Sequence, residues 1–172
     1  MGYNDVFKEQ LVKKKGNSKD LLAKSGLVLA GVVLIFALGF IPVIGELGLY
    51  PILFAVIIWL EFIFLRRFNV EFEYVFTNGE LDIDKIYNRS KRKHALSVDV
   101  KSFTVMVNMK MNNAKGEMGD FSKTLDFSSG EVNENTYAAI FEDNGIKTRL
   151  IFEPNETLFD AIRTYIPRKI KK

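Results

Sequence analysis

Two apolar runs limit what this chain can become. Gly26 to Gly45 carries no charge over 20 residues, and Leu47 to Leu65 carries only Glu61. A bilayer core takes about 20 apolar residues of helix, and about 17 can suffice. The runs therefore predict two transmembrane helices, Ser25–Ile44 and Gly48–Leu65. The reversal "PVIGELGLYP" holds Pro42, Gly45, Gly48 and Pro51, and its one charge is Glu46. So short a connection predicts an antiparallel helical hairpin with both chain ends on one side. The first run is too long for the apolar region of a cleaved leader, about 7–15 residues, and it leads into a second run.

Charge predicts the side. Lys8, Lys13, Lys14, Lys15, Lys19 and Lys24 precede the first run, Arg66 and Arg67 follow the second, and the reversal has no basic residue. Short loops rich in Lys and Arg stay in the cytoplasm. The expectation is a multi-pass protein of the cell membrane with both termini cytoplasmic. The net charge is +3; residues 1–25 hold six basic and three acidic groups, and residues 68–172 hold sixteen of each. The basic excess thus sits beside the membrane, where Lys13, Lys14, Lys15, Arg66 and Arg67 can meet anionic lipid. No domain-wide basic face points to nucleic acid. The chain has no cysteine, so disulfides are not available to it.

Residues 1–24 read as a basic N-terminal segment. Tyr3, Val6, Phe7 and Leu11 stand at i, i+3, i+4 and i+8, which predicts a short amphipathic helix or a solvated basic anchor. After Arg67 the period becomes two. Val70, Phe72, Tyr74 and Phe76 alternate with Glu71, Glu73, Val75 and Thr77, and Asn78-Gly79 predicts a tight hairpin turn. A two-residue turn pairs Thr77 with Glu80, Phe76 with Leu81 and Tyr74 with Ile83, so the apolar faces coincide. Further strands read at "RKHALSV", "KSFTVMVNMKM", "FSKTLDFSS", "TYAAIFED" and "IKTRLIFE", with "NNAKGEMGD" as a mobile loop. That makes about seven strands, all antiparallel. A closing helix starts at Asn155-Glu156, carries Leu158, Phe159, Ile162, Tyr165 and Ile166 on one stripe, and stops at Pro167.

Seven antiparallel strands capped by one amphipathic C-terminal helix resemble a pleckstrin-homology-like (PH-like) domain. The resemblance rests on "VEFEYVFTNGELDID" and "TYAAIFEDNGIKTRLIFEPNETLFDAIRTYI" and covers Asn69 to Lys169. Bacterial membrane proteins with a helical hairpin before such a domain look similar, as does a family of small two-span proteins of Gram-positive bacteria. The expected class is α+β: a transmembrane hairpin over residues 25–65, a cytoplasmic PH-like β domain over residues 68–169, and a basic tail over residues 170–172. The resemblance implies a binding or scaffolding module and supplies no catalytic residue. Its eukaryotic lipid-binding members use basic residues near the first strand turn. The turn read as first here, "TNGE", has none, so phosphoinositide binding is not implied.

The candidate site residues follow from the hairpin register. Glu71, Glu73, Glu80, Asp82 and Asp84 project from one face, and directly opposed like charges such as Glu73 and Asp84 destabilise a strand pair. Arg89, Lys91, Arg92 and Lys93 come next in sequence and can neutralise them. The acidic face is expected to be a salt-bridge face or a docking surface; a divalent-cation site is the third reading, but the spacing fits no calcium loop. His94 is the single histidine and reads as structural; with no cysteine, zinc sites of the usual composition are excluded. Met106, Met109, Met111 and Met118 read as core edge or a pliable contact patch, with copper(I) ligation as the rarer use. Glu61 reads as an anchor near the cytoplasmic interface, within reach of Arg66. The tail residues Arg168, Lys169, Lys171 and Lys172 are expected to join the lipid contacts.

No catalytic constellation, metal site or cofactor motif appears. The function expected is a non-enzymatic, membrane-anchored binding module with a protein partner or a second copy of the chain as its target. The alternative is an accessory subunit of a membrane transport or envelope-stress complex, whose small residues, such as Gly26, Ala30 and Gly31, pack against other helices.

Overall fold

The computed structural model describes residues 6–171. The chain divides into a helical unit, residues 16–69, and a β unit made of residues before and after it. In the helical unit, α1 (Ser18–Leu38) opens with a capping box: Asn17 accepts from the Asp20 amide, and the Asp20 carboxylate accepts from the Asn17 amide. This cap starts the helix seven residues before the apolar run predicts. A short helix α2 (Pro42–Glu46) occupies the reversal, and α3 (Tyr50–Arg66) returns.

Of these helices, α1 alone is long and apolar enough to cross a membrane. The 17 residues of α3 reach roughly 26 Å at 1.5 Å each, at the lower limit for a core of about 30 Å. Both long helices expose apolar side chains around their circumference, Leu22, Leu29, Phe36, Phe54, Trp59 and Phe62 among them. They meet where Gly31 of α1 leaves room for the Glu61 carboxyl of α3: a Cβ at Gly31 would overlap that carboxyl. Glu61 Oε1 is buried there without a hydrogen-bond partner, while the Arg66 guanidinium lies 4.0 Å from the Phe62 ring centroid. The anchor expected at Glu61 is replaced by a carboxyl packed between helices.

In the β unit the expected N-terminal helix is a strand, β1 (Phe7–Lys13), paired antiparallel with β2 (Val70–Thr77). The first sheet continues through β3 (Glu80–Tyr87) and β4 (Lys91–Asp99) in the order β1-β2-β3-β4. The β2–β3 hairpin has the register read from sequence, closed by Asn78 and Gly79 at φ 51° and 103°. It is the second turn of the sheet. The first, between β1 and β2, contains the whole helical unit, so the absence of basic residues at "TNGE" says nothing about the first connection.

The second sheet has the order β6-β8-β7-β5-β9, from β5 (Val105–Asn108), β6 (Lys123–Asp126), β7 (Tyr137–Asp143), β8 (Ile146–Phe152) and β9 (Ile170–Lys171). Two of its pairings, β5 with β9 and β6 with β8, are parallel. The other pairings are antiparallel as expected; these two join strands that are not consecutive in the chain, β6 reaching β8 by way of β7, and β9 arriving only after α5. The segment expected to be a mobile loop forms α4 (Ala114–Met118), whose Ala114 and Met118 are buried in a small second core with Val107, Ala138, Ile140 and Ile151. The main core lies between the sheets and is closed by α5 (Glu156–Tyr165), capped by Asn155. Leu158 and Ile162 are at most 1% exposed, and burial of such a side chain stabilises by about 1.5–3 kcal/mol.

Candidate functional site on the outer face of the first sheet

The face of the first sheet away from the core is built in rows. One runs Lys13, Glu71, Ile86, Arg92 across β1 to β4; the next runs Leu11, Glu73, Asp84, His94. Simple alternation from the buried Leu96 would turn His94 and Arg92 to the core side. The register slips between Ile83 and Asp84 and leaves Ala95 as the extra residue, a β-bulge that re-aims both. This slip brings Arg92 and His94 onto the face that carries the five acidic residues.

Arg92 Nη2 donates to Glu73 Oε1 at 2.8 Å, and Arg89 Nε donates to Glu71 Oε1 at 3.3 Å. His94 Nδ1 lies 3.0 Å from Asp84 Oδ1, and Ser97 Oγ donates to Glu80 Oε1 at 2.7 Å. Asp82 lies opposite Ser97 in the same face. Lys91 and Lys93 do not join; they pair with Tyr87 and Lys85 on the other face, where Lys85 Nζ sits 5.3 Å from the Phe127 ring centroid.

Glu73 is the unusual member. It is only 3% exposed, and its Oε2 is buried without a hydrogen-bond partner. Burial pushes its pKa up; Arg92 opposes the rise, and the like charges of Glu9 and Asp84 add to it. The carboxyl lines a groove of about 610 Å³ with Leu11, Lys13, Glu71, Ile86, Arg89 and Arg92. A volume of that order suits a small ligand. The groove lies at the end of the sheet where β1 finishes and β2 begins, and there Lys14 N donates to Val70 O at 3.0 Å. Among the described residues no group of three or more His, Cys, Asp or Glu is arranged to hold a metal.

A family model described as "Bacterial PH-like domain (DUF6106)" matches residues 4–172. The chain belongs to that family. Its match runs through the helical unit as well as both sheets, so the insertion between β1 and β2 lies inside the region that the family model describes. No curated protein and no solved structure matches the chain.

In this PH-like domain the expected lipid-contact residues do not gather in one place. Lys13 and Lys14 stand at the groove end, and Lys15 Nζ bonds Glu131 Oε2 at 2.6 Å while its amide donates to Ser129 O. The segment expected to be a free basic tail is the edge strand β9. Lys169 Nζ donates to Lys101 O at 2.7 Å, and Lys171 Nζ lies 3.8 Å from Glu117. Val100, next to Lys101, bonds Gly79 at the opposite end of β2 from Val70. Along β2 that is roughly 25 Å at about 3.4 Å per residue. Arg168, next to Lys169, is exposed; Lys172 lies outside the described residues. Sequence reasoning missed Lys13, Leu11 and Ile86 as groove residues. No local signal marks β1: its outer face, Phe7, Glu9, Leu11 and Lys13, and its inner face, Val6, Lys8, Gln10 and Val12, both mix apolar and polar residues.

Proposed function

We propose that this PH-like protein is a non-enzymatic binding module held at the cytoplasmic face of the membrane by its helical pair. The observation that carries the reading is the helical unit, whose two long helices present apolar side chains all round. A helix of that kind belongs inside a large core or in lipid, and the unit's own packing leaves these faces exposed. The shorter α3 completes a second span if the bilayer thins or the basic end of the helix reaches outward, each at modest cost. Lys19, Lys24, Arg66 and Arg67 flank the apolar stretch on one side only, which favours the cytoplasm for both chain ends. Two short connections, from Lys13 to Ser18 and from Arg66 to Val70, tie the domain to its anchor. Such tethering raises the effective concentration of the outer-face groove for targets near the membrane.

The alternative, a subunit of a larger membrane complex joined through small residues, loses part of its surface because Gly31 is filled by Glu61 of the same chain.

Alkaline extraction of membranes followed by flotation tests the anchor. The full chain is expected to float with lipid, and a fluorescent reporter fused after Lys172 is expected to report from inside the cell. Recovery of the protein in the detergent-free supernatant refutes the proposal.

A further inference from the structure

Four features of the groove describe its ligand. The Glu73 carboxyl is buried, its Oε2 finds no amide, hydroxyl or cationic donor, and the Glu9 carboxyl lies within hydrogen-bond reach of it, so two acidic groups crowd one buried position at a cost. Beside it, Arg89 and Arg92 are 80% and 60% exposed at the side chain and each gives one N–H to a carboxylate, out of five that a guanidinium carries. Leu11 and Ile86 supply an apolar wall, Leu11 being 56% exposed. Finally, Lys13 is five residues from the start of α1, and Glu71 is five residues from the end of α3. A connection of five residues spans at most roughly 17 Å.

A bare cation would satisfy Glu73, with Glu9 and Asp84 near it, and would leave the spare N–H groups of Arg89 and Arg92 without an acceptor. A bare anion would meet the arginines and leave Glu73 unsatisfied. The arrangement asks for both charges in one molecule, a short distance apart: Arg92 Nη2 and Glu73 Oε1 are themselves only 2.8 Å apart. An ammonium separated by two carbons from a phosphate fits that demand, and the apolar wall accepts the start of a glycerol-linked chain. We propose that the groove binds the headgroup of a primary-amine phospholipid, phosphatidylethanolamine, with its ammonium on Glu73 and its phosphate between Arg89 and Arg92. Glu9 and Asp84 lie near enough to favour the cation, and Arg92 remains as the bridge between the two halves of the headgroup. The proposal rests on the membrane-anchored reading. It differs from adhesion to anionic lipid in requiring a zwitterion whose cation can donate hydrogen bonds.

The experiment uses the full chain, purified in detergent, delipidated and offered equal amounts of phosphatidylethanolamine, phosphatidylcholine and phosphatidylglycerol. Bound lipid is counted by native mass spectrometry. Phosphatidylethanolamine is expected to be retained about tenfold or more over the other two, the effect of one charge-assisted hydrogen bond. Phosphatidylcholine has no N–H to give Glu73, and phosphatidylglycerol has no cation. Glu73→Gln is expected to abolish the preference, while Arg89→Gln with Arg92→Gln weakens retention of all three. Equal retention by the wild type, or an unchanged preference in Glu73→Gln with its melting curve intact, overturns the proposal. If Glu73→Gln fails to fold, the arginine pair decides: unchanged retention of phosphatidylethanolamine overturns it. Retention of soluble phosphoethanolamine in place of the lipid overturns the lipid source. Flotation with liposomes is scored separately. Protein that floats and shows no preference leaves the anchor standing and removes only the headgroup site.

Discussion

Tyr74 and Glu73 are neighbours on β2 and face opposite ways, and each carries a buried polar group into a low-dielectric setting. The Tyr74 hydroxyl donates to Phe127 O at 2.5 Å and accepts from Glu153 N at 3.3 Å, tying the first sheet to the segments after β6 and β8. Burial pushes its phenol pKa far above the ordinary value, so it stays neutral. Tyr74→Phe keeps the ring and strips both backbone groups of a partner; a loss of about 1–3 kcal/mol is expected, read from urea unfolding. Glu73 gives a pH signature instead. Its pKa is raised above the ordinary 4.5, so above that pH the folded chain binds more protons than the unfolded chain. Stability therefore falls as pH rises from 4.5 through the raised value. Glu73→Gln removes this slope: its melting temperature should gain on that of the wild type between acid and neutral pH. A constant difference across that range would mean the carboxyl titrates normally. At this scale the acidic row was legible, because period two and Asn-Gly fix the register of β2 with β3. The cations opposite were legible only in part. A bulge at Ala95 decides which of Arg92, Lys93 and His94 face the row, and nothing in "KRKHALSV" marks the extra residue.

Among the elements, β1 shows how a short segment deceives. Val6, Phe7 and Leu11 satisfy a helical period, while neither strand face, Phe7, Glu9, Leu11 and Lys13 or Val6, Lys8, Gln10 and Val12, is uniformly apolar. The partner that decides for the strand, β2, is separated by the entire helical unit, so no local pattern could name it. The tail and α4 follow the same rule: Ile170 becomes a strand only because Met106 offers an edge, and Ala114 and Met118 become helical by covering the second sheet. Tight hairpins behave differently because their chemistry is local. Gly79 and Gly145 both sit at positive φ, 103° and 79°. A Cβ on Gly79 would stand 2.9 Å from the Tyr165 ring, whereas one on Gly145 would meet nothing within 4 Å. Both Ala variants incur the backbone cost, about 1 kcal/mol or more. Gly79→Ala should be the more damaging of the two, and the gap between their unfolding midpoints measures how tightly α5 holds Tyr165 against the turn. Equal midpoints would mean that Tyr165 swings away freely.

The whole molecule is a β domain interrupted after its first strand by a pair of apolar helices. The interruption is tolerable because its two ends emerge side by side: Lys14 N reaches Val70 O at 3.0 Å, the distance of an ordinary ladder bond, so β1 and β2 are already placed as a hairpin would place them. Gln10 fastens the other edge of β1, its amide donating to Glu153 O and accepting from Asn155 N, each at 2.7 Å. The fold of the β domain should thus depend on β1 and not on the helices. Replacing residues 16–69 with a Gly-Gly link between Lys15 and Val70 is expected to give a water-soluble protein that unfolds in one cooperative transition. The simple fragment from Asn69 to Lys172 should behave worse. It lacks β1, exposes the β2 edge and the core that Val12 covers, and invites edge-to-edge association. Light scattering and thermal melts of the two proteins decide the matter. A soluble, cooperative fragment would make β1 an accessory to the domain; an insoluble relinked protein would make the helices part of its folding core.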